Sequence, residues 1–240
     1  MKKILTLVIF VFSFLTFSTA VANENSIKKV LITGFAPFGG EATNPSFEAV
    51  KALPDNIDGA QIIKKELPVS FDGSVAKLKE YIKEYDPDLI ICVGQAGGRY
   101  DISVERVAIN IDDARIADND GNKPIDIKIF ADGDNAYFSQ LPIKAITQNI
   151  NDSGVPAEVS NTAGTYVCNH IMYALLYELN KNYPNKHGGF IHVPYSTEQA
   201  VDKVDTPSMS IENMTKALAV AIKISIITGT DIIVTAGKEN

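Results

Sequence analysis

The sequence predicts an α/β fold, a single-domain three-layer α/β/α arrangement around a mostly parallel central sheet. Short β-branched apolar runs alternate with amphipathic helical segments along nearly the whole chain. Several of those runs are continuously apolar, as strands covered by helices on both faces are. No internal repeat, low-complexity tract or shift of composition marks a second domain.

The elements follow in order. Val30 to Thr33 is a short apolar, β-branched run ending at Gly34, and Asn44-Pro45-Ser46 opens an amphipathic helix that runs to about Leu53. Ile62 to Val69 reads as a strand, and Ser74 to Tyr85 as a helix with Val75, Leu78 and Ile82 on one face. Leu89 to Val93 is a continuous apolar strand. From Ala96 to Tyr137 the pattern loosens into Gly-, Asp- and Asn-rich sequence around one strand at Ser103 to Asn110, and such long irregular stretches commonly carry function. Alternation then returns: a helix from about Pro142 to Asn151, a strand near Ala157 to Ser160, a helix from Val167 to Asn182, a strand at Phe190 to Val193, and a last helix from about Met209 to Thr228.

The first 22 residues read as a signal peptide ahead of a domain spanning 23–240. Lys2 and Lys3 form a positive start, Ile4 to Phe17 is an apolar run, and Ala20-Val21-Ala22 supplies small residues for cleavage. The run is short for a membrane span and no cysteine follows it to carry a lipid, so no stable membrane anchor is expected after cleavage. The expected location is outside the cytoplasm, periplasmic or secreted. Losing Lys2 and Lys3 takes the formal net charge from −7 to −9, with 29 acidic residues remaining. That balance argues against nucleic acid or an anionic membrane as partner. Two cysteines are too few for a disulfide scaffold, and leave open one Cys92–Cys168 bridge in an oxidising compartment.

Cys168 is the residue to weigh. It stands where the polar turn Ser160-Asn161-Thr162-Ala163-Gly164-Thr165-Tyr166 gives way to a helix, so its thiol lies at a helix N-terminus. Unpaired amides and the positive dipole end there favour thiolate, and can hold an oxyanion formed by its attack. The competing reading is a small buried hydrophobe. A nucleophile needs a base and a group to orient that base. Of three histidines, His170 lies two residues along the same helix and points away, and His187 sits in the turn Asn185-Lys186-His187-Gly188-Gly189. His192 ends the strand Phe190 to Val193, at the sheet edge where α/β sites form. Glu105 is the candidate carboxylate: extended alternation turns it toward a core, where imidazole is a suitable partner, or else it is exposed and paired with Arg106.

Two long segments carry a resemblance. One is Gly94-Gln95-Ala96-Gly97-Gly98-Arg99-Tyr100-Asp101-Ile102-Ser103-Val104-Glu105-Arg106-Val107-Ala108-Ile109-Asn110; the other runs from Ser160 through Cys168. With Thr33-Gly34-Phe35-Ala36-Pro37-Phe38-Gly39-Gly40, Asn44-Pro45-Ser46 and Gly189-Phe190-Ile191-His192-Val193-Pro194, they resemble, in order, the motifs of the pyroglutamyl peptidase I (pyrrolidone carboxyl peptidase) family of cysteine peptidases. The resemblance implies Cys168 as nucleophile, His192 as general base and acid, and Glu105 as the carboxylate orienting His192. It implies a thioester acyl-enzyme, N-terminally pyroglutamylated peptides as substrates, no metal or organic cofactor, and assembly as a homo-dimer or homo-tetramer.

A flat neutral lactam calls for apolar walls and a few polar groups. Phe35 and Phe38 carry over as walls, Tyr166 and Val167 stand beside the nucleophile, and Asn44 and Gln95 are the polar neighbours. Arg115 matches a family arginine that stabilises the oxyanion, or forms a surface ion pair. Tyr166 stands where many relatives carry Phe, so its hydroxyl must find a partner. Two other classes compete: an exported, catalytically silent protein that binds a lactam or peptide, and a cysteine hydrolase of altered specificity. Retention of all three triad residue types argues against the silent binder.

Overall fold

The computed structural model describes residues 27–237. The predicted leader therefore lies outside the described residues. Among the described residues, no helix is long and apolar enough to cross a membrane.

The expected α/β architecture is present. The strands are β1 (Lys29–Phe35), β2 (Asn56–Ile57), β3 (Ala60–Leu67), β4 (Leu89–Gln95), β5 (Ile102–Glu105), β6 (Val107–Ile109), β7 (Ala136–Phe138), β8 (Ala157–Ser160), β9 (His187–Val193), β10 (Tyr195–Ser196) and β11 (Ser208–Met209). The helices are α1 (Pro45–Lys51), α2 (Phe71–Tyr85), α3 (Ile143–Asp152), α4 (Val167–Asn182) and α5 (Ile211–Ile227). Seven strands form one sheet in the order β2-β3-β1-β4-β9-β5-β8. β1 is parallel to β3 and β4, β4 to β9 and β5 to β8, whereas β2 against β3 and β5 against β9 are antiparallel.

Alternation along the central strands splits the core in two. Val30, Ile32, Ile91, Val93 and Ile191 face α1, α3 and α5; Leu31, Ile90, Cys92 and Phe190 face α2 and α4. Helix α4 is buried on most sides because the β6–β7 ribbon covers the flank that the sheet does not, with the Tyr173 hydroxyl donating to Asp134 O at 2.6 Å. Each leucine or isoleucine sealed there contributes about 1.5–3 kcal/mol.

Four local expectations are corrected. The single strand predicted at Ser103 to Asn110 breaks at Arg106, whose amide donates to Ser160 O and whose carbonyl accepts from Ser139 N, both at 2.8 Å. Residues before it join the main sheet and those after it form the ribbon. Helix α2 starts three residues earlier than predicted, because Ser70 caps it by accepting from Gly73 N at 3.0 Å; Gly73 in the first turn hides this in the sequence. β9 starts at His187 rather than Phe190. Its glycines are close-packing residues: a Cβ on Gly189 would lie 2.5 Å from Ser139 Oγ and 2.7 Å from Leu141. The Cys92–Cys168 bridge left open above is not formed, since both cysteines are free.

Candidate active site

The C-terminal ends of the parallel strands bring Phe35, Gln95 and His192 to one edge of the sheet. Helix α4 starts over that edge. Cys168 is its second residue, and Tyr166, the N-cap, supplies no side-chain bond. The first capped amide is that of His170, which donates to Tyr166 O at 3.0 Å. The amides of Val167, Cys168 and Asn169 have no acceptor among the described residues. They form a donor cluster beside the sulfur.

Opposing effects act on the thiol. Burial, then the negative charge of Glu105, pushes the Cys168 thiol up to about 12, against a smaller opposing effect of Arg99. Cys168 keeps a partly exposed flank, and the unpaired amides act in the opposite direction to burial. Cys92, deep in β4, is likewise pushed up to about 12 by burial, with Thr33 opposing.

His192 pairs directly with Gly94 on β4 and with Ser103 on β5. Glu105 lies two residues beyond Ser103 on the same face and reaches diagonally to His192. The two meet at 2.7 Å, Nδ1 to Oε1. Glu105 is fully buried, which excludes the exposed alternative. Its cation is Arg99 rather than Arg106: Arg99 Nη1 donates to the same Oε1 at 2.7 Å, while Nη2 donates to Thr162 O at 3.1 Å. Arg106 instead donates to Asn161 Oδ1 at 2.8 Å and Ala236 O at 2.6 Å. Burial alone would push the Glu105 carboxyl up, but the His192 hydrogen bond and charge, the Ser160 hydroxyl and the Arg99 charge together outweigh it and hold the pKa below the ordinary range.

A cavity of about 40 Å³ adjoins the sulfur, walled by Phe35, Phe38, Val69, Tyr166 and Val167, with Asn44 and Gln95 as polar lining. Roomier depressions of about 430 and 500 Å³ include neither Cys168 nor His192, and the first lies by Leu89 and His187, at the other end of the strands. The Tyr166 hydroxyl finds its partner in Ala117 O at 3.0 Å. That loop is held by Asp118, which accepts from Phe71 N at 3.0 Å, and by Asn119 N, which donates to Val69 O at 2.9 Å.

Residues 28–228 match the family model described as pyroglutamyl peptidase. The chain belongs to the pyroglutamyl peptidase family. It is 58% identical over 204 residues to the pyrrolidone-carboxylate peptidase of Clostridium perfringens, covering 85% of this chain and 96% of that one. Identity to the Brachyspira hyodysenteriae pyrrolidone-carboxylate peptidase is 60% over 198 residues, covering 82% and 98%. Among solved structures, pyroglutamyl peptidase I from Bacillus amyloliquefaciens superposes with a TM-score of 0.85 at 50% identity, covering 87% of this chain and all of that one. The pyrrolidone carboxyl peptidase from Thermococcus litoralis gives 0.83 at 43% identity, covering 87% and 100%.

Within this family frame, the structure brings together Cys168, Phe35, Phe38, Asn44, Gln95, Tyr166 and Val167 around the cavity, and joins His192 to Glu105 beside it. Arg115 is not part of that cluster. It is exposed, lines no cavity wall here, and makes no ion pair among the described residues. Two participants escaped the sequence reading. Val69 ends a run that reads as core strand, and Arg99 carried no signal beyond its place inside the Glu105 motif. Of the packing and surface readings open to His170, the structure has packing: it is buried, with Nδ1 2.7 Å from Asp112 Oδ2 and its ring edge-on to Phe71 at 5.3 Å.

Proposed function

We propose that this chain is a cysteine peptidase that hydrolyses the bond after an N-terminal pyroglutamyl residue, with Cys168, His192 and Glu105 as its triad. Membership of the pyroglutamyl peptidase family carries the activity. The pairing of His192 Nδ1 with the buried, ionised Glu105 supports the roles. A carboxylate accepting from Nδ1 fixes the tautomer in which Nε2 is the basic nitrogen.

The lactam ring enters between Phe35, Phe38 and Tyr166, and its exocyclic carbonyl carbon meets the sulfur. The Cys168 proton moves to His192 Nε2 as the carbon–sulfur bond forms. The amides of Val167, Cys168 and Asn169 are placed to receive the oxyanion. Collapse expels the peptide amine, which takes the proton from His192 and leaves a pyroglutamyl thioester on Cys168. Water, deprotonated by His192, then attacks the thioester, and pyroglutamate leaves with the thiol restored.

Turnover of a pyroglutamyl amide bearing a fluorescent leaving group, set against the matching prolyl and glutamyl amides, tests this reading. Hydrolysis confined to the pyroglutamyl compound is expected; faster cleavage of either other compound indicates altered specificity, and no turnover of any indicates a silent binder.

Export belongs to the same proposal. The charged and apolar start of the chain and Ala20-Val21-Ala22 support a cleaved leader, and the family match begins only at residue 28. A mature N-terminus at Asn23 outside the cytoplasm is expected, and an intact Met1 in a cytoplasmic fraction would remove the claim. The family resemblance supports a homo-dimer or homo-tetramer, which sedimentation of the purified chain distinguishes from a monomer.

A further inference from the structure

Side-chain amides in this site can be oriented from backbone groups alone. In Gln199, Oε1 accepts from Ser196 N at 3.1 Å and Nε2 donates to Thr43 O at 3.3 Å. An amide N–H only donates and a carbonyl only accepts, so which end of Gln199 is nitrogen is settled. The same Nε2 donates to Gln95 Oε1 at 3.3 Å. The oxygen of Gln95 is thereby turned toward Gln199. Its amino group, which has no partner among the described residues, is left for the cavity that Gln95 lines.

Asn44 obeys the same logic. Its Oδ1 accepts from Ser46 N at 3.1 Å and Ser46 Oγ at 2.8 Å, and its Nδ2 donates to Ala36 O at 2.9 Å. Its acceptor is filled and one N–H remains. Both polar side chains of the cavity thus offer donors, and a donor needs a carbonyl or similar acceptor opposite it.

We propose that Gln199, which lies outside the cavity, sets the cavity's donor polarity by fixing the Gln95 amide, and so makes the ring carbonyl of the bound residue the group selected. This rests on the pyroglutamyl reading of the site. Gln199 is a positioning residue. It is buried in the turn after β10, and that turn is anchored by Ser196 pairing with Met209 in β11 and by Lys203 bridging to Glu41 at 2.9 Å.

The test is Gln199→Glu. The carboxylate still accepts from Ser196 N but cannot donate to Gln95 or Thr43, and it attracts the Gln95 amino group away from the cavity. Two readouts are taken on the purified full chain: kinetics on a pyroglutamyl amide, and protection of Cys168 from iodoacetamide by 2-pyrrolidone, which reports ring binding without turnover. We expect KM and the protection constant to weaken about three- to tenfold, the effect of one neutral hydrogen bond. The value of kcat should stay within about twofold and the unprotected alkylation rate should be unchanged. On a Gln95→Met background the same change should have no further effect. If the glutamate variant does not fold, Gln199→Met takes its place with the same expectation. Unaltered KM and protection in a folded variant of an active enzyme overturn the role of Gln199 alone. A wild-type chain that neither turns over the amide nor is protected overturns the pyroglutamyl reading, and this inference with it.

Discussion

Gly94 and Cys168 approach so closely that a β-carbon on the glycine would lie 2.8 Å from the cysteine sulfur. The glycine is the floor on which the proposed nucleophile stands, and its cross-strand partner is His192. Replacing it forces the sulfur to move, and a displacement of about 1 Å at a reacting centre costs on the order of 100-fold in rate. Gly94→Ala should therefore fold yet lose about two orders of magnitude in kcat/KM. Activity within a few-fold of wild type, measured by steady-state kinetics beside a thermal melt, would show that the sulfur has room to spare.

Arg99 adds its charge to the His192 and Ser160 interactions that let Glu105 stay ionised while fully buried. Arg99→Met leaves that carboxylate with its hydrogen bonds but without its permanent cation. Arg99 is itself partly exposed, so the expected loss is about 1–3 kcal/mol, at or below the range for breaking a buried pair. The sign with pH follows from the depressed pKa of Glu105. Its contribution is present above the ordinary carboxylate pKa and lost as pH falls through the lower folded value. Removing Arg99 lessens the depression, so the acid-unfolding midpoint should rise. An acid titration by circular dichroism with an unmoved midpoint would assign Arg99 no part in holding the charge.

Glu105→Gln keeps the shape and removes the charge that stabilises imidazolium. The expected fall in kcat is about 10²–10⁴-fold, smaller than that from losing Cys168 or His192. Unchanged kinetics across the pH profile would leave Glu105 a purely structural residue.

The two thiols should separate cleanly in labelling. Both are pushed up by burial, but Cys92 is sealed in β4 while Cys168 keeps an exposed flank. Iodoacetamide should modify Cys168 in the folded protein and Cys92 only after unfolding. Peptide mapping that finds Cys92 modified in the native state would mean that β4 opens far more readily than its burial implies.

What the sequence shows of this site is what local pattern can encode. The start of α4 is legible because a polar turn meets an apolar run, and His192 because it ends a short strand. The cation beside Glu105 is not legible by spacing. Arg106 is adjacent in the chain but lies on the opposite side of an extended backbone, whereas Arg99 returns from the loop after β4. Gln199 reaches Gln95 across more than a hundred residues, with only a surface-like turn around it. Glycines misled most, since Gly188 and Gly189 mimic a turn and yet lie inside β9 because neighbouring side chains leave no room for a Cβ.

The most direct test of the proposed chemistry is to catch the acyl-enzyme. A pyroglutamyl ester or amide is mixed with the enzyme, quenched in acid during turnover, digested and examined by mass spectrometry. The mechanism predicts one pyroglutamyl group in thioester linkage on the peptide bearing Cys168, and both that adduct and turnover absent from a folded Cys168→Ser variant. Turnover without any adduct on Cys168, together with near wild-type activity in the serine variant, would contradict it.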